Sequence, residues 1–390
     1  MDRRTFLGGS LGGFLGYALR NGGGGLATGA KRVVVLWMDG GPSQIDTFDP
    51  KPGEDTGGEF RAIETAAPGV RISETLPAVA KRMDRLSVIR GLSSPEGDHA
   101  RGQYLMHTGF PLSEGFARPA AGATASAHLP ASSVPQYVTI GAPGFGPAYL
   151  GAAHAPFTID DPRRALEKLR AVERRKDRLR LARELDRGFG ESTASPLLER
   201  REETLRRIEA LVGTPFMKAL EVEPGADEFA TRCKLALNLL KAGVGYVEVQ
   251  LGGWDTHIDN FSNVRRLCGQ LDAPWAALID DLVRLGLWDE TILLWMGEFG
   301  RTPLINARNG RDHYPRATCA VLGGGGIAGG RLYGETDKKG IGVVKERATV
   351  ADLFATLFDR LGLDPKKRFR TEFGGTATAT DGGTPIRELF

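Results

Sequence analysis

Short continuous apolar runs alternate along this chain with longer stretches in which apolar residues recur every three or four positions. The first run is Val33-Val34-Val35-Leu36-Trp37-Met38, which ends at Asp39-Gly40-Gly41-Pro42-Ser43. Apolar on both alternating sets of positions and rich in β-branched residues, it predicts a strand buried on both faces. Three later segments repeat the pattern. Gly245 to Leu251 runs into Gly252-Gly253-Trp254-Asp255-Thr256-His257, Thr291 to Met296 into Gly297-Glu298-Phe299-Gly300-Arg301, and Thr318 to Leu322 into a glycine run. Helical periodicity lies between and around them, at Ala78 to Arg85, Phe229 to Ala242, Val264 to Leu285 and Thr349 to Leu361. Strand and helix in alternation predict an α/β fold, a mostly parallel sheet covered by helices on both faces. Ligands of such sheets bind at the carboxyl ends of the strands, which is where the polar residues of these segments fall.

Two stretches break the pattern. Asp161 to Leu211 is dense in Arg, Glu, Lys and Leu, with pairs such as Glu167/Arg170 and Glu202/Arg206, and reads as part of a helical insertion over about 161–225. Pro111 to Gly151 is rich in Gly, Ala, Ser and Pro and reads as a long irregular excursion. No internal repeat is visible.

Composition narrows the class. The 390 residues suit one large α/β domain, here residues 31–390, and 41% hydrophobic with 25% charged residues is ordinary for a globular chain with a substantial core. A net charge of +3 from 51 basic and 48 acidic residues argues against nucleic acid as partner. Cys233, Cys268 and Cys319 have no CxxC spacing and read as small buried residues. Asp2-Arg3-Arg4-Thr5-Phe6-Leu7-Gly8, followed by an uncharged Gly- and Leu-rich stretch, predicts a twin-arginine export signal over residues 1–30 and a periplasmic or otherwise extracytoplasmic location. The apolar stretch is short against the roughly 20 residues of a membrane span, so no stable span is expected once the signal is removed.

The candidate chemistry sits at the strand ends. Asp39, Asp255, His257, Glu298 and His313 are carboxylates and imidazoles brought by different segments, the kind of set a divalent metal needs. Singly, each has a plainer explanation: Asp39 as a cap, His257 as a buried histidine, Glu298 as a partner of Arg301. Four loops beside strand ends that all carry such residues exceed what capping predicts. Ser43 is placed to donate to a substrate oxygen or to cap a turn, and Arg301 to bind an anionic oxygen or to pair with Glu298. Asp46 and Asp49 read as turn caps. Asp259, four residues after Asp255, is a further carboxylate beside His257, which is preferred because imidazole suits zinc better.

These residues resemble the alkaline phosphatase superfamily, which includes sulfatases and nucleotide phosphodiesterases. Asp39 resembles its aspartate after the first strand, Asp255-Thr256-His257 its aspartate-to-histidine element, and His313 its final histidine. Met38-Asp39-Gly40-Gly41-Pro42-Ser43, Gly253-Trp254-Asp255-Thr256-His257, Gly297 to Pro303 and Asp312-His313-Tyr314-Pro315 together resemble a bacterial family of exported sulfatase-like proteins, domain of unknown function 1501. The resemblance implies an alkaline-phosphatase-like three-layer sandwich.

It also exposes two departures. The superfamily places an oxygen or modified-cysteine nucleophile nine residues before a Thr-Gly pair; here the pair is Thr108-Gly109 and the residue nine back is His99. Phe299 stands where a metal-binding histidine follows the carboxylate. The resemblance therefore implies that His99 supplies the missing imidazole, with Asp39, Glu298 and His99 at one metal position and Asp255, His257 and His313 at a second. The implied reaction uses metal-bound water; a nucleophilic His99 is the second choice. Two divalent ions are expected, with zinc, manganese, magnesium and calcium all open. The expected function is hydrolysis of phosphate or sulfate esters, with His99, Arg301 and Ser43 as catalytic candidates and an anionic ester as substrate. The alternative is a non-catalytic binding or scaffold protein that keeps the fold and a structural metal.

Overall fold

The structure, a computed structural model, describes residues 29–174, 206, 209–223, 225, 227–371 and 374–390. Residues 1–28 of the segment expected to be an export signal, and the greater part of the charged insertion, lie outside the described residues.

Strand β1 (Arg32–Asp39) is the centre of the sheet because six consecutive side chains, Val33 to Met38, are at most 2% exposed. Burial of each such side chain contributes roughly 1.5–3 kcal/mol before chain entropy is subtracted. Alternation sends Val34, Leu36 and Met38 to one core and Val33, Val35 and Trp37 to another. The other strands of the sheet are β2 (Leu86–Ser93), β3 (Tyr137–Ile140), β4 (Phe157–Ile159), β5 (Tyr246–Gly252), β6 (Thr291–Met296), β9 (Thr318–Gly323), β10 (Leu332–Tyr333) and β11 (Ala348–Thr349). Their order is β10-β2-β9-β6-β1-β5-β3-β4, with β11 also paired to β2. Only β9 runs antiparallel to its neighbours, so the sheet is mostly parallel, as expected.

The helices are α1 (His99–Thr108), α2 (Ala121–His128), α3 (Pro162–Arg174), α4 (Glu228–Lys241), α5 (Asn260–Arg284) and α6 (Val350–Arg360). Leu235 and Leu239 of α4 and Leu271, Trp275 and Ile279 of α5 share the core of Val34 and Leu36. Leu105 of α1, Ala121 and Ala125 of α2 and Leu353, Phe354 and Leu357 of α6 share that of Val33 and Val35. The result is a three-layer α/β sandwich.

Three details differ from expectation. The helix expected over Ala78 to Arg85 is a turn at Pro77–Ala80 followed by a 3-10 turn at Met83–Arg85. Helix α5 begins four residues before Val264, because Asn260 and Phe261 already face the core. The excursion from Pro111 to Gly151 contains α2 and β3, whose small or few apolar residues hid them. Among the described residues, no helix is long and apolar enough to cross a membrane.

Register brings the loops of the site together. Asp39 pairs with Gly252, and Trp37 with Met296, so β1, β5 and β6 end side by side. Asp255 follows β5 by three residues and Glu298 follows β6 by two. A short antiparallel pair, β7 (Gly300–Arg301) and β8 (His313–Tyr314), sets His313 opposite Arg301.

Candidate metal centre

The segment after β5 is held by Trp254, which is fully buried and whose backbone N–H donates to Asp39 O at 3.1 Å. Gly40 lies directly beneath it at φ +113°, and a Cβ there would meet the Asp255 backbone nitrogen at 2.4 Å. Only glycine fits that position. Asp255 and His257 project from this segment, while His99 opens α1 behind the N-cap Asp98, whose carboxylate accepts from Arg101 N.

Each of three imidazoles is anchored through its Nδ1. His99 Nδ1 lies 2.7 Å from Glu298 Oε1, His257 Nδ1 2.7 Å from Asp312 Oδ1, and His313 Nδ1 2.8 Å from the Gly97 carbonyl oxygen. All three partners are acceptors, which assigns the Nδ1 proton to every ring and leaves each Nε2 as a lone pair if the ring is neutral. Those Nε2 atoms converge on one carboxylate oxygen, Asp255 Oδ1, at 3.4 Å for His99, 3.1 Å for His257 and 3.3 Å for His313. The His257 and His313 Nε2 atoms are 3.0 Å apart. The donor atoms of His99, Asp255 and His313 lie within 4.8 Å of one another, a group that does not take in His257. His99 Nε2 is a buried polar atom without a hydrogen-bond partner, since its approach to Asp255 is too poorly aligned to count as one.

Lone pairs that face one another across a few ångströms need a positive charge between them, either protons or a metal cation. The local charges divide the imidazoles. The Glu298 carboxylate raises the His99 pKa above the usual histidine value, while burial lowers that of His313. Burial pushes the Asp255 carboxyl up, but the hydrogen bond and charge of Arg301 outweigh it and hold the group below its ordinary value. The hydrogen bond to His257 likewise lowers Asp312.

Arg301 is fully buried. Its Nη2 donates to Asp255 Oδ1 at 2.6 Å and to the Gly40 carbonyl, its Nε to Gly41 O at 2.9 Å, and its Nη1 to Arg311 O at 3.2 Å. The guanidinium is thus spent on Asp255 and on the loops that carry the site. It holds Asp255 in place, and no hydrogen bond or ion pair joins it to Glu298 among the described residues.

The other sequence candidates fall in several places. Glu298 is fully buried and accepts from Gly40 N at 2.9 Å as well as from His99, so it stands behind the imidazole. Asp39 Oδ1 accepts from Gln103 Nε2 at 2.8 Å and Trp37 Nε1 at 3.3 Å, on a different set of partners. Asp39, Glu298 and His99 therefore form no separate donor cluster among the described residues; His99 turns its free nitrogen to Asp255 instead. Phe299 accounts for part of this, since its ring packs 5.0 Å from His99 and 4.6 Å from His313 and fills the space a further ligand would need. Ser43 is 1% exposed and its Oγ accepts from Asp46 N at 3.2 Å, the turn-capping role. Asp46 forms a fully buried ion pair with Arg311 at 2.8 Å, and Asp49 pairs with Lys51 at 2.9 Å. Asp259 is exposed, in the left-handed region at φ +46°, and lies outside the cluster. The three cysteines are free and buried.

Sequence reasoning did not single out Asp312, Gly97, Gln103 or Arg311. Asp312 had a signal, since an acid directly before a candidate ligand histidine is a natural partner for its second nitrogen or for a neighbouring ring. Gly97 acts only through its backbone carbonyl, which no sequence pattern marks.

The family model described as "Protein of unknown function (DUF1501)" matches residues 30–390. No curated protein matches the chain in sequence. Among solved structures, the chain is similar to the phosphonate monoester hydrolase of Agrobacterium radiobacter at 13% identity, covering 92% of this chain and 77% of that one, with a TM-score of 0.43. It is also similar to the lipoteichoic acid synthase LtaP from Listeria monocytogenes at 10% identity, 87% and 73% coverage and a TM-score of 0.42. For the alkaline phosphatase from the Antarctic bacterium TAB5 the identity is 14%, the coverage 86% and 99%, and the TM-score 0.37.

Proposed function

The chain belongs to the DUF1501 family, and from that premise we propose that it is an extracytoplasmic, metal-dependent hydrolase of phosphate or sulfate esters. The observation that carries the metal is the convergence of three Nε2 atoms on Asp255 Oδ1, each ring fixed from behind by an acceptor, with His99 Nε2 left buried and unpartnered. His99, Asp255 and His313 would hold the ion, and His257, whose Nε2 is 3.1 Å from Asp255 Oδ1 but which lies outside that mutually close group, would complete the set by a shift of its ring. Three nitrogens and one oxygen suit a borderline cation such as zinc better than magnesium or calcium, which favour all-oxygen sets. When bound, such a cation supplies Lewis-acid polarisation of an ester oxygen.

The chain's own residues prepare the site for this. Glu298, Asp312 and the Gly97 carbonyl fix the tautomers and aim the three lone pairs inward. Arg301 keeps Asp255 ionised and oriented. Asp255 and Asp312 remain partly open to solvent, at 47% and 52% side-chain exposure, so a bulky anionic ester has access from their side. The Asp39–Gln103 pair is a positioning contact between β1 and α1, the helix that presents His99. With Ser43 capping a turn and Arg301 spent on Asp255, neither is a substrate contact in this reading.

The test is metal analysis of the purified protein followed by turnover assays on aryl phosphate, phosphodiester and aryl sulfate esters, before and after chelation. We expect near-stoichiometric metal and turnover of one ester class that chelation abolishes and metal restores. Bound metal with no turnover on any ester would support the binding or scaffold reading, which the buried positions of Ser43 and Arg301 favour.

A further inference from the structure

A cavity of about 730 Å³ lies beside the imidazole cluster and does not include it. It is built on the same two segments that hold His313. Ser94 and Pro95 line it, three and two residues before the Gly97 carbonyl that anchors the imidazole, and Arg316 lines it three residues after His313. The segments are tied together by Ser94 N donating to Pro315 O at 2.8 Å, and Tyr314 Oη donates to the carbonyl of Ile341, another lining residue.

Its lining is mixed in character. Pro95 and Ile341 are exposed apolar residues, and Arg316 and Arg347 are exposed basic ones. Neither guanidinium makes a hydrogen bond or ion pair among the described residues, although most arginines of the fold, Arg82, Arg90, Arg101, Arg301, Arg311 and Arg387 among them, are engaged. Asp381 is the one acid on the lining, so the basic groups are in excess there. The volume falls in the range of about 300–1,000 Å³ that holds a small organic molecule. Two free planar forks on a lining that also carries apolar residues match an anionic oxygen cluster carried on a hydrophobic body.

We propose that this cavity is a second binding site, specific for an organic anion in which a carboxylate, sulfate or phosphate group meets Arg316 and Arg347 while an apolar portion lies along Pro95 and Ile341. The anion could be a free molecule or a non-reacting anionic unit of an ester whose reacting group lies at the metal centre. The site stands independently of the metal reading.

The probe is 8-anilinonaphthalene-1-sulfonate, titrated by fluorescence into the full chain after chelation, with neutral N-phenyl-1-naphthylamine as the uncharged comparison. Intact protein should bind the sulfonate at one saturable site, and the Arg316→Ala/Arg347→Ala pair should weaken it roughly tenfold or more, the scale of losing charge-assisted hydrogen bonds. Binding of the neutral compound should be unchanged. A Lys234→Ala/Lys241→Ala pair on α4 removes the same charge elsewhere and should leave the sulfonate affinity within about twofold, as expected of distant screened charges. Repeating turnover assays on the arginine pair separates the sources: a raised KM with kcat retained assigns the site to the substrate, and unchanged kinetics to a separate ligand. No saturable sulfonate binding, equal affinity in the arginine pair, or an equal loss in the lysine pair would overturn the proposal, whatever the metal centre does.

Discussion

At the residue scale, what distinguishes this site is the direction each imidazole faces. Glu298 is the clearest case, because the carboxylate expected as a ligand lies behind His99 and fixes the proton on its Nδ1. Glu298→Gln keeps an acceptor there but removes the charge, so zinc affinity should fall roughly 10- to 100-fold, the usual cost of losing such a partner. Calorimetric titration of the variant with zinc checks this, with circular dichroism to confirm folding; unchanged affinity would make Glu298 a packing residue only. The raised His99 pKa also has a sign. In the metal-free protein, stability from protonated His99 is fully present below the unfolded value near 6.5 and is lost as pH rises through the higher folded value. A metal competes with that proton, so metal affinity should climb as pH rises toward the folded pKa and level off above it. A flat affinity between pH 5 and 9 would mean that His99 is not a ligand.

At the element scale, the segment after β5 and the hairpin of β7 and β8 carry three of the ligands, α1 carries His99, and one buried ion pair locks the two loops. Arg311 bonds Asp46 and the Thr56 and Thr302 carbonyls, while its own carbonyl receives Arg301. Asp46→Ala would strand that guanidinium in the core and should cost about 3–5 kcal/mol in urea unfolding of the metal-free protein. Gly310 is as tightly placed, since a Cβ there would come within 1.9 Å of the His257 carbonyl oxygen. Gly310→Ala must displace backbone, so a melting temperature lowered by several degrees is expected, the effect of about 1–3 kcal/mol in a chain of this kind. The same elements show how far the sequence could be read. β1, β5, β6 and β9 were legible because doubly buried strands are written as unbroken apolar runs, and α4 and α6 because their apolar stripes are regular. Helix α1 was not, since His-Ala-Arg-Gly-Gln-Tyr-Leu-Met-His-Thr has a helix-length span but little apolar periodicity. β2 was also missed, because Arg90 and Gly91 interrupt its apolar positions. The candidate ligands were legible as types at strand ends, but the side each ring turns inward depends on partners such as Gly97 O that come from elsewhere in the chain.

At the scale of the whole molecule, the three-layer sandwich brings the ends of β1, β5 and β6 together at one edge and leaves the loops beyond them free to carry chemistry. The fold would persist without the ion, because the two cores on either face of the sheet are complete on their own. Metal should therefore raise the melting temperature without being required for folding, and Asp255→Asn should abolish that rise while lowering the metal-free melting temperature by several degrees, because it leaves the buried Arg301 guanidinium without its carboxylate. Both are read in one thermal-shift series.

The central claim is that His99, His257, His313 and Asp255 share one cation. X-ray absorption spectroscopy of the zinc-loaded protein tests it most directly. Three imidazole nitrogens and an oxygen at about 2.0–2.1 Å are the predicted first shell. A shell dominated by carboxylate oxygens, or one unchanged by His99→Ala, would contradict it.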